Sequence, residues 1–171
     1  KKKKTKKKAV GNQAGYSSKT AIDNVLIGAA AGYALTTGSN NVAIGRKALT
    51  TEDAHGKNVA IGFEALKVQN AGADARNVSI GYQSGVDLTT GIKNVFVGNS
   101  AGENITEGQY NTLLGANAGD ALTTGSNNTI IGYNASGATV SVGNETVIGS
   151  GAAGNGSNTI TLGNGSISAL P

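Results

Sequence analysis

The sequence has no cysteine, methionine or tryptophan, and only one proline and one histidine among its 171 residues. The absence of cysteine excludes a disulfide framework and any cysteine-ligated zinc site. A single histidine, His55, excludes a histidine-cluster metal site and argues against a Ser-His-Asp triad. No apolar run approaches the ~18 residues that a transmembrane helix needs, so we expect no membrane insertion.

Small and polar residues dominate what is present. Glycine alone accounts for 27 residues, and glycine, asparagine, threonine and serine together account for 76. Such a composition disfavours helix, because glycine, asparagine and threonine are all poor helix formers. The glycines do not recur at every third residue with proline, which excludes collagen.

The positive net charge of +4 is concentrated at one end of the chain. Seven of the 14 basic residues lie in positions 1–8, and the remainder of the chain carries a net charge of −3. A basic tail of this kind can hold phosphate or an acidic surface, but we favour a solvated tag or linker and expect no nucleic-acid partner. We therefore divide the chain into a basic tail, 1–8, and a repeat region, 9–171. Since no initiator methionine is visible, we expect a piece of a longer chain.

One five-residue phrase recurs along the whole repeat region and ends on a glycine. From Gly11 to Gly163, the closing glycines are separated by 17, 17, 17, 19, 17, 17, 17, 17 and 14 residues. Seven copies open with asparagine, at Asn24, Asn41, Asn58, Asn77, Asn94, Asn111 and Asn128. These copies close at Gly28, Gly45, Gly62, Gly81, Gly98, Gly115 and Gly132.

Each phrase predicts one short strand. The residue before the closing glycine is aliphatic, and the residue two positions earlier is β-branched in nine of the ten copies. These two side chains share one strand face, which we expect to face the core. The middle residue, such as Leu26, Ala43 or Phe96, then points the other way and is also mostly small or apolar. We favour a second copy of the chain as the cover of that face, with a second sheet of the same chain as the alternative.

The remainder of each repeat predicts a turn, a second packed segment and a loop. The closing glycine indicates positive φ or a close backbone approach. Three residues later stands an alanine or serine, which indicates tight packing. A loop follows, often Leu-Thr-Thr-Gly, and the 19-residue step has its two extra residues there, around Gln69–Arg76.

Together these features predict an all-β, parallel β-solenoid, or β-roll, of about ten turns with a mostly 17-residue repeat. At ~4.8 Å per turn it spans roughly 43 Å. The opening asparagines would stack in a structural ladder. A single turn supplies few large apolar side chains, so association of three chains into a homotrimer is expected to complete the core.

The phrase Asn-Val-Ala-Ile-Gly, with alanine three residues after the glycine, resembles the head repeat of trimeric autotransporter adhesins. That resemblance implies a left-handed parallel β-roll of ~14-residue turns in a homotrimer. The final 14-residue step matches that period, and the 17-residue steps are similar to the repeat shafts of bacteriophage tail fibres. The segment 157–168 resembles the sequence that precedes a self-cleaving C-terminal intramolecular chaperone in such fibres.

The resemblance implies a non-enzymatic structural and adhesive fibre segment, either the shaft of a phage tail fibre or that of an injection-system fibre. It would lie in a virion or on a cell surface and contact other fibre or tail proteins and a host glycan or protein receptor. The alternative is the head of a bacterial surface adhesin, and an ice-binding solenoid or an enzyme ranks lower. We expect no catalytic, cofactor or metal site. Candidate surface-binding residues are Phe63, Tyr82 and Tyr133, although aromatic rings can instead simply cover neighbouring turns.

Overall fold

A computed structural model describes residues 7–166, which contain ten short parallel strands and no helix. The strands are β1 (Lys7–Val10), β2 (Asn24–Ile27), β3 (Val42–Ile44), β4 (Val59–Ile61), β5 (Val78–Ile80), β6 (Val95–Val97), β7 (Thr112–Leu114), β8 (Thr129–Ile131), β9 (Thr146–Ile148) and β10 (Ile160–Leu162). Across this part of the chain, no helix is long and apolar enough to cross a membrane. Most of the basic tail, 1–6, and the C-terminal residues 167–171 lie outside the described residues.

The strands form one sheet in chain order, so the chain coils as a parallel β-solenoid with one strand per repeat. Each strand pairs with the equivalent residues of the next repeat, as in Val25↔Val42 and Val42↔Val59. This confirms the predicted all-β solenoid with its mostly 17-residue repeat, and ten strands make about nine turns. The first strand begins at Lys7, so the last two residues of the predicted tail pair through their backbone with β2.

The two extra residues of the 19-residue step lie in the loop after the second segment. Val59 still pairs with Val78 across that step, and Leu66 N still donates to Ser84 O. Both paired segments therefore keep their register, and the residues between Gln69 and Ala75 absorb the insertion.

The predicted orientation of the strands was wrong. From β2 to β9 the middle residue of the strand phrase points into the coil and is fully buried, as at Leu26, Ala43, Phe96 and Leu113. The flanking valine and isoleucine side chains, which were predicted to face the core, point outward and are half-buried or exposed. The reason is spatial: the middle residues pack against the chain's own second segment, whose small residues, such as Ala31 and Ala101, are also fully buried.

The closing glycines are required by the backbone. Gly28 has φ +127°, and a Cβ atom there would lie 2.6 Å from the backbone C and O of Gly45 in the next turn. All ten closing glycines have positive φ. This agrees with the predicted turn, because only glycine tolerates both the conformation and the contact.

Candidate functional site

The outward side chains of β2–β10 form one continuous and mostly aliphatic surface, which we call the outer strip. It comprises Val25, Ile27, Val42, Ile44, Val59, Ile61, Val78, Ile80, Val95, Val97, Thr112, Leu114, Thr129, Ile131, Thr146, Ile148, Ile160 and Leu162. Exposed fractions reach 40% at Ile27, 46% at Leu114 and 72% at Ile160. No element within residues 7–166 covers this face. A contiguous apolar surface of this length is unusual on a monomer.

The opening asparagines lie at one edge of the strands in a buried ladder. The side-chain oxygen of each accepts from the backbone N–H of the next, for example Asn24 Oδ1 from Asn41 N at 2.7 Å. Its amide nitrogen donates to a carbonyl 14 residues later, as from Asn111 Nδ2 to Gly125 O at 2.8 Å. These asparagines satisfy buried backbone groups of adjacent turns, which is a structural task.

The ladder is interrupted at a single described rung. The amide nitrogen of Asn58 is buried and has no hydrogen-bond partner, although its oxygen still accepts from Asn77 N. The missing partner coincides with the 19-residue step, where the displaced loop no longer presents a carbonyl at the usual place.

The three aromatic residues predicted to bind a surface ligand all follow a closing glycine and therefore lie in one column along the solenoid. Phe63 and Tyr82 stack with ring centroids 5.2 Å apart, and Arg46 lies 5.5 Å from the Phe63 centroid on the other side. Tyr133 is three turns further on, and its side chain is exposed, as is that of Tyr82. The structure thus brings Phe63 and Tyr82 together, leaves Tyr133 apart, and leaves their binding role a prediction.

A polar cluster lies in the loop of the turn that begins at Gly45. The side chain of Glu52 is fully buried, His55 is half-buried and Asp53 is exposed, and their ligand-type atoms lie within 4.8 Å of one another. Glu52 Oε1 accepts from His55 N at 3.0 Å. Burial raises the pKa of the Glu52 carboxyl, since desolvation disfavours its charged form.

Sequence reasoning missed this cluster, because it considered His55 only as a lone histidine and did not examine Glu52. One signal was available in the repeat. Seven residues after the closing glycine, other turns have the buried aliphatic residues Leu35, Leu88, Ile105 and Leu122. A carboxyl group in that column, as at Glu52, is a buried polar group that needs a partner.

A scan against protein-family models, a search of curated proteins and a search of solved structures find no match for this chain.

Proposed function

We propose that this chain is a non-enzymatic structural segment of an adhesive fibre, and that it works as a homotrimer. The observation that carries the proposal is the outer strip. Nine strands, β2–β10, present mostly aliphatic side chains at a spacing of ~4.8 Å along roughly 38 Å. A second copy of the same chain has the same spacing, so each of its strands can pack its outward side chains against one strand of the outer strip.

Self-association would also give the protein more buried apolar surface than a single coil has. Each turn buries only a few apolar side chains, such as Ala43, Ala48 and Leu49 in the turn that begins at Gly45, and covering the outer strip would add a second aliphatic core. At about 25 cal/mol per Å² of buried apolar surface, covering so many partly exposed valine and isoleucine side chains stabilises an assembly substantially. Three chains, rather than two, are what the resemblance to trimeric adhesin and tail-fibre repeats implies.

A rod-shaped trimer of this kind would act as a shaft, spacing or presenting a receptor-binding tip on a virion or a cell surface. The exposed column that contains Tyr82 and Tyr133 remains the part of the shaft best suited to touch a host glycan or protein, since tyrosine rings stack on sugars and fill partner pockets. The head of a bacterial surface adhesin is the alternative, and it would use the same trimeric shaft.

Light scattering on the purified chain at several dilutions tests the proposal. We expect a mass near three times 16.9 kDa. Replacing Ile44 and Ile61, whose side chains point outward from β3 and β4, by aspartate should shift the mass toward that of the monomer, because the charges would be buried in the interface.

The matched control places one of the same charges away from the strip, at the exposed Ala73 of the inserted loop. Ala73→Asp should leave the mass unchanged. A well-folded monomer at micromolar concentration for the unmodified chain would contradict the proposal, and a stable dimer would contradict its threefold part.

A further inference from the structure

The strongest unassigned feature of the molecule is the polar cluster around Glu52. In the described part of the chain, four buried side-chain atoms have no hydrogen-bond partner: Ser18 Oγ, Glu52 Oε2, His55 Nδ1 and Asn58 Nδ2. Three of the four come from one seven-residue stretch. Buried polar atoms are nearly always paired, so such a concentration calls for an explanation.

Two of these atoms are electron-pair donors. Glu52 Oε2 belongs to a fully buried carboxylate. His55 Nδ1 lies 3.6 Å from Glu52 Oε1, which is too far for a hydrogen bond. Asp53 adds a second carboxylate, and all three residues place a ligand-type atom within 4.8 Å of the others.

The repeat provides space for a side chain at position 55 that is lacking at four of its equivalents. Gly38, Gly91, Gly108 and Gly125 stand ten residues after their closing glycines, as His55 does. A Cβ atom on any of these four glycines would lie 2.2–2.5 Å from a backbone oxygen of the next turn. The residue that follows His55 in this column is Gly72, in the inserted loop, and a Cβ atom there would meet nothing within 4 Å. The insertion has therefore moved the neighbouring loop away, which leaves room for an imidazole.

We propose that Glu52, Asp53 and His55 bind one divalent transition-metal ion. An imidazole nitrogen with carboxylate oxygens is a ligand set that suits zinc and neighbouring first-row metals. With metal–ligand bonds of ~2.1 Å, ligand atoms end within about 4.2 Å of one another, and rotation of the exposed Asp53 side chain closes that difference. The two carboxylates neutralise the ion, and the exposed side of the cluster gives it a way in. This departs from the expectation of no metal site, which rested on the single histidine.

Zinc alone is the probe. Tag-free protein, treated with EDTA and dialysed, is titrated with Zn²⁺ by calorimetry, and binding of one ion per chain is expected. Because His55 is the only histidine, its imidazole signals in NMR report directly on coordination and should shift in step with the titration. At a zinc concentration 100-fold above the dissociation constant, the melting temperature should rise by about 7 °C.

The repeat itself offers substitutions that fit the fold. Glu52→Gln copies the buried Gln69 of the next turn, and His55→Gly copies the glycine of the equivalent positions. Each should weaken zinc binding at least tenfold while the melting temperature in EDTA stays within a few degrees of the unmodified protein. Glu103→Gln, which lies outside the cluster, should change neither quantity.

Absence of stoichiometric binding would overturn the proposal, as would binding of the same strength in either cluster variant. Zinc binding that leaves the His55 imidazole signals unmoved would overturn it as well, since it would place the ion on surface carboxylates. None of these outcomes depends on whether the chain is a trimer, so the test is separate from that of the proposed function.

Discussion

Two kinds of turn enclose the same interior in different ways. In the turns that begin at Gly28, Gly98 and Gly115, which we call glycine turns, a large residue in the middle of the strand faces a glycine four residues after the closing glycine. The pairs are Leu26 with Gly32, Phe96 with Gly102 and Leu113 with Gly119. In the leucine turns, which begin at Gly45 and Gly62, the pairs are Ala43 with Leu49 and Ala60 with Leu66.

The two kinds of turn exchange the positions of the large and the small residue, and this exchange keeps the side-chain volume of the pair similar. A Cβ atom on Gly32 would lie 2.7 Å from side-chain atoms of both Leu26 and Leu35, so these two leucines already fill the space. In the leucine turns an alanine vacates that space, and Leu49 or Leu66 enters it from the opposite wall, fully buried. In the glycine turns, an apolar residue three positions later helps to fill the interior. In the leucine turns, Leu49 or Leu66 takes over that role, and the later position holds Glu52 or Gln69. The polar cluster is thus a consequence of how these turns are packed.

Placing a leucine in the second segment requires an unfavourable backbone conformation. Leu49 and Leu66 adopt φ values of 50° and 48°, the left-handed region that glycine occupies in the glycine turns. A bulky side chain in that conformation costs about 1 kcal/mol, which burial of a leucine side chain offsets.

The largest effect on stability is expected when only one member of the pair is changed in a glycine turn. Gly32→Leu places a side chain between Leu26 and Leu35 in a left-handed conformation, and should lower the free energy of unfolding by about 3 kcal/mol. Leu26→Ala alone leaves a cavity and should cost about 2–5 kcal/mol. The two together recreate the leucine-turn pair, so their combined cost should be at least 1.5 kcal/mol below the sum. Urea unfolding at one protein concentration measures all three.

A distant pair provides the control for this coupling. Leu26→Ala combined with Gly119→Leu changes two turns that share no contact, so the two costs should add. If the adjacent pair were equally additive, the size exchange would not be what distinguishes the two kinds of turn.

The repeat could be predicted from sequence because its signals are imposed by the backbone. Gly28 and its equivalents have a conformation and a contact that admit no side chain, and Asn24 and its equivalents satisfy buried peptide groups. Both kinds of residue therefore recur with the period of the coil. The position of the insertion followed from the same period.

The inward face of each strand was mispredicted because both faces are apolar. The alternation of side chains along the strand then does not show which face points into the coil. The discriminating signal was residue size. A small middle residue, Ala43 or Ala60, occurs in the same turn as a leucine in the second segment, whereas the large Leu26 occurs with Gly32. Such compensation in size requires that the middle residue face the second segment. The repeat does signal a buried carboxylate at Glu52, but the room for His55 could not be predicted, since it depends on the path that the loop at Gly72 takes in the following turn.

An intermediate effect on stability is expected in the asparagine ladder, where the leucine turn at Gly62 differs from the glycine turns. Asn111→Ala removes an acceptor from Asn128 N and a donor from Gly125 O, leaving two buried backbone groups unpaired, at a cost of about 2–4 kcal/mol. Asn58→Ala leaves only Asn77 N without its acceptor and removes an unpaired amide. Its cost should be smaller by about 1 kcal/mol, as measured by urea denaturation.

The exposed Asn99 is the reference for both ladder variants, and Asn99→Ala should fall within about 0.5 kcal/mol of the unmodified chain. Equal costs at Asn58 and Asn111 would show that the rung at Asn58 is complete in solution. That result would remove the structural difference inferred at the insertion.

The smallest effect concerns the charges that accompany the leucine turns. Two residues after the closing glycine, these turns have Lys47 and Glu64, whereas the glycine turns have the neutral residues Ala30, Ser100 and Asn117. Lys47 Nζ lies 3.6 Å from Glu64 Oε1, and Lys67 Nζ lies 3.3 Å from Glu64 Oε2. Burial by itself would raise the pKa of the Glu64 carboxyl, but the hydrogen bonds from Gln83 and Lys67 and the charges of Lys67 and Lys47 outweigh it and lower that pKa.

A carboxyl whose pKa is lowered by folding stabilises the folded state above its ordinary value, near 4.5, and this contribution is lost as the pH falls through the lowered pKa. Glu64→Gln should therefore cost about 0.5 kcal/mol at pH 7, because the pair partners remain near the surface. The difference between the two proteins should shrink as the pH falls below 4.5, and it should also shrink in 1 M salt, where surface charges are screened. Thermal unfolding across this pH range measures it. A difference that persisted undiminished at low pH would assign the role of Glu64 to packing rather than to charge.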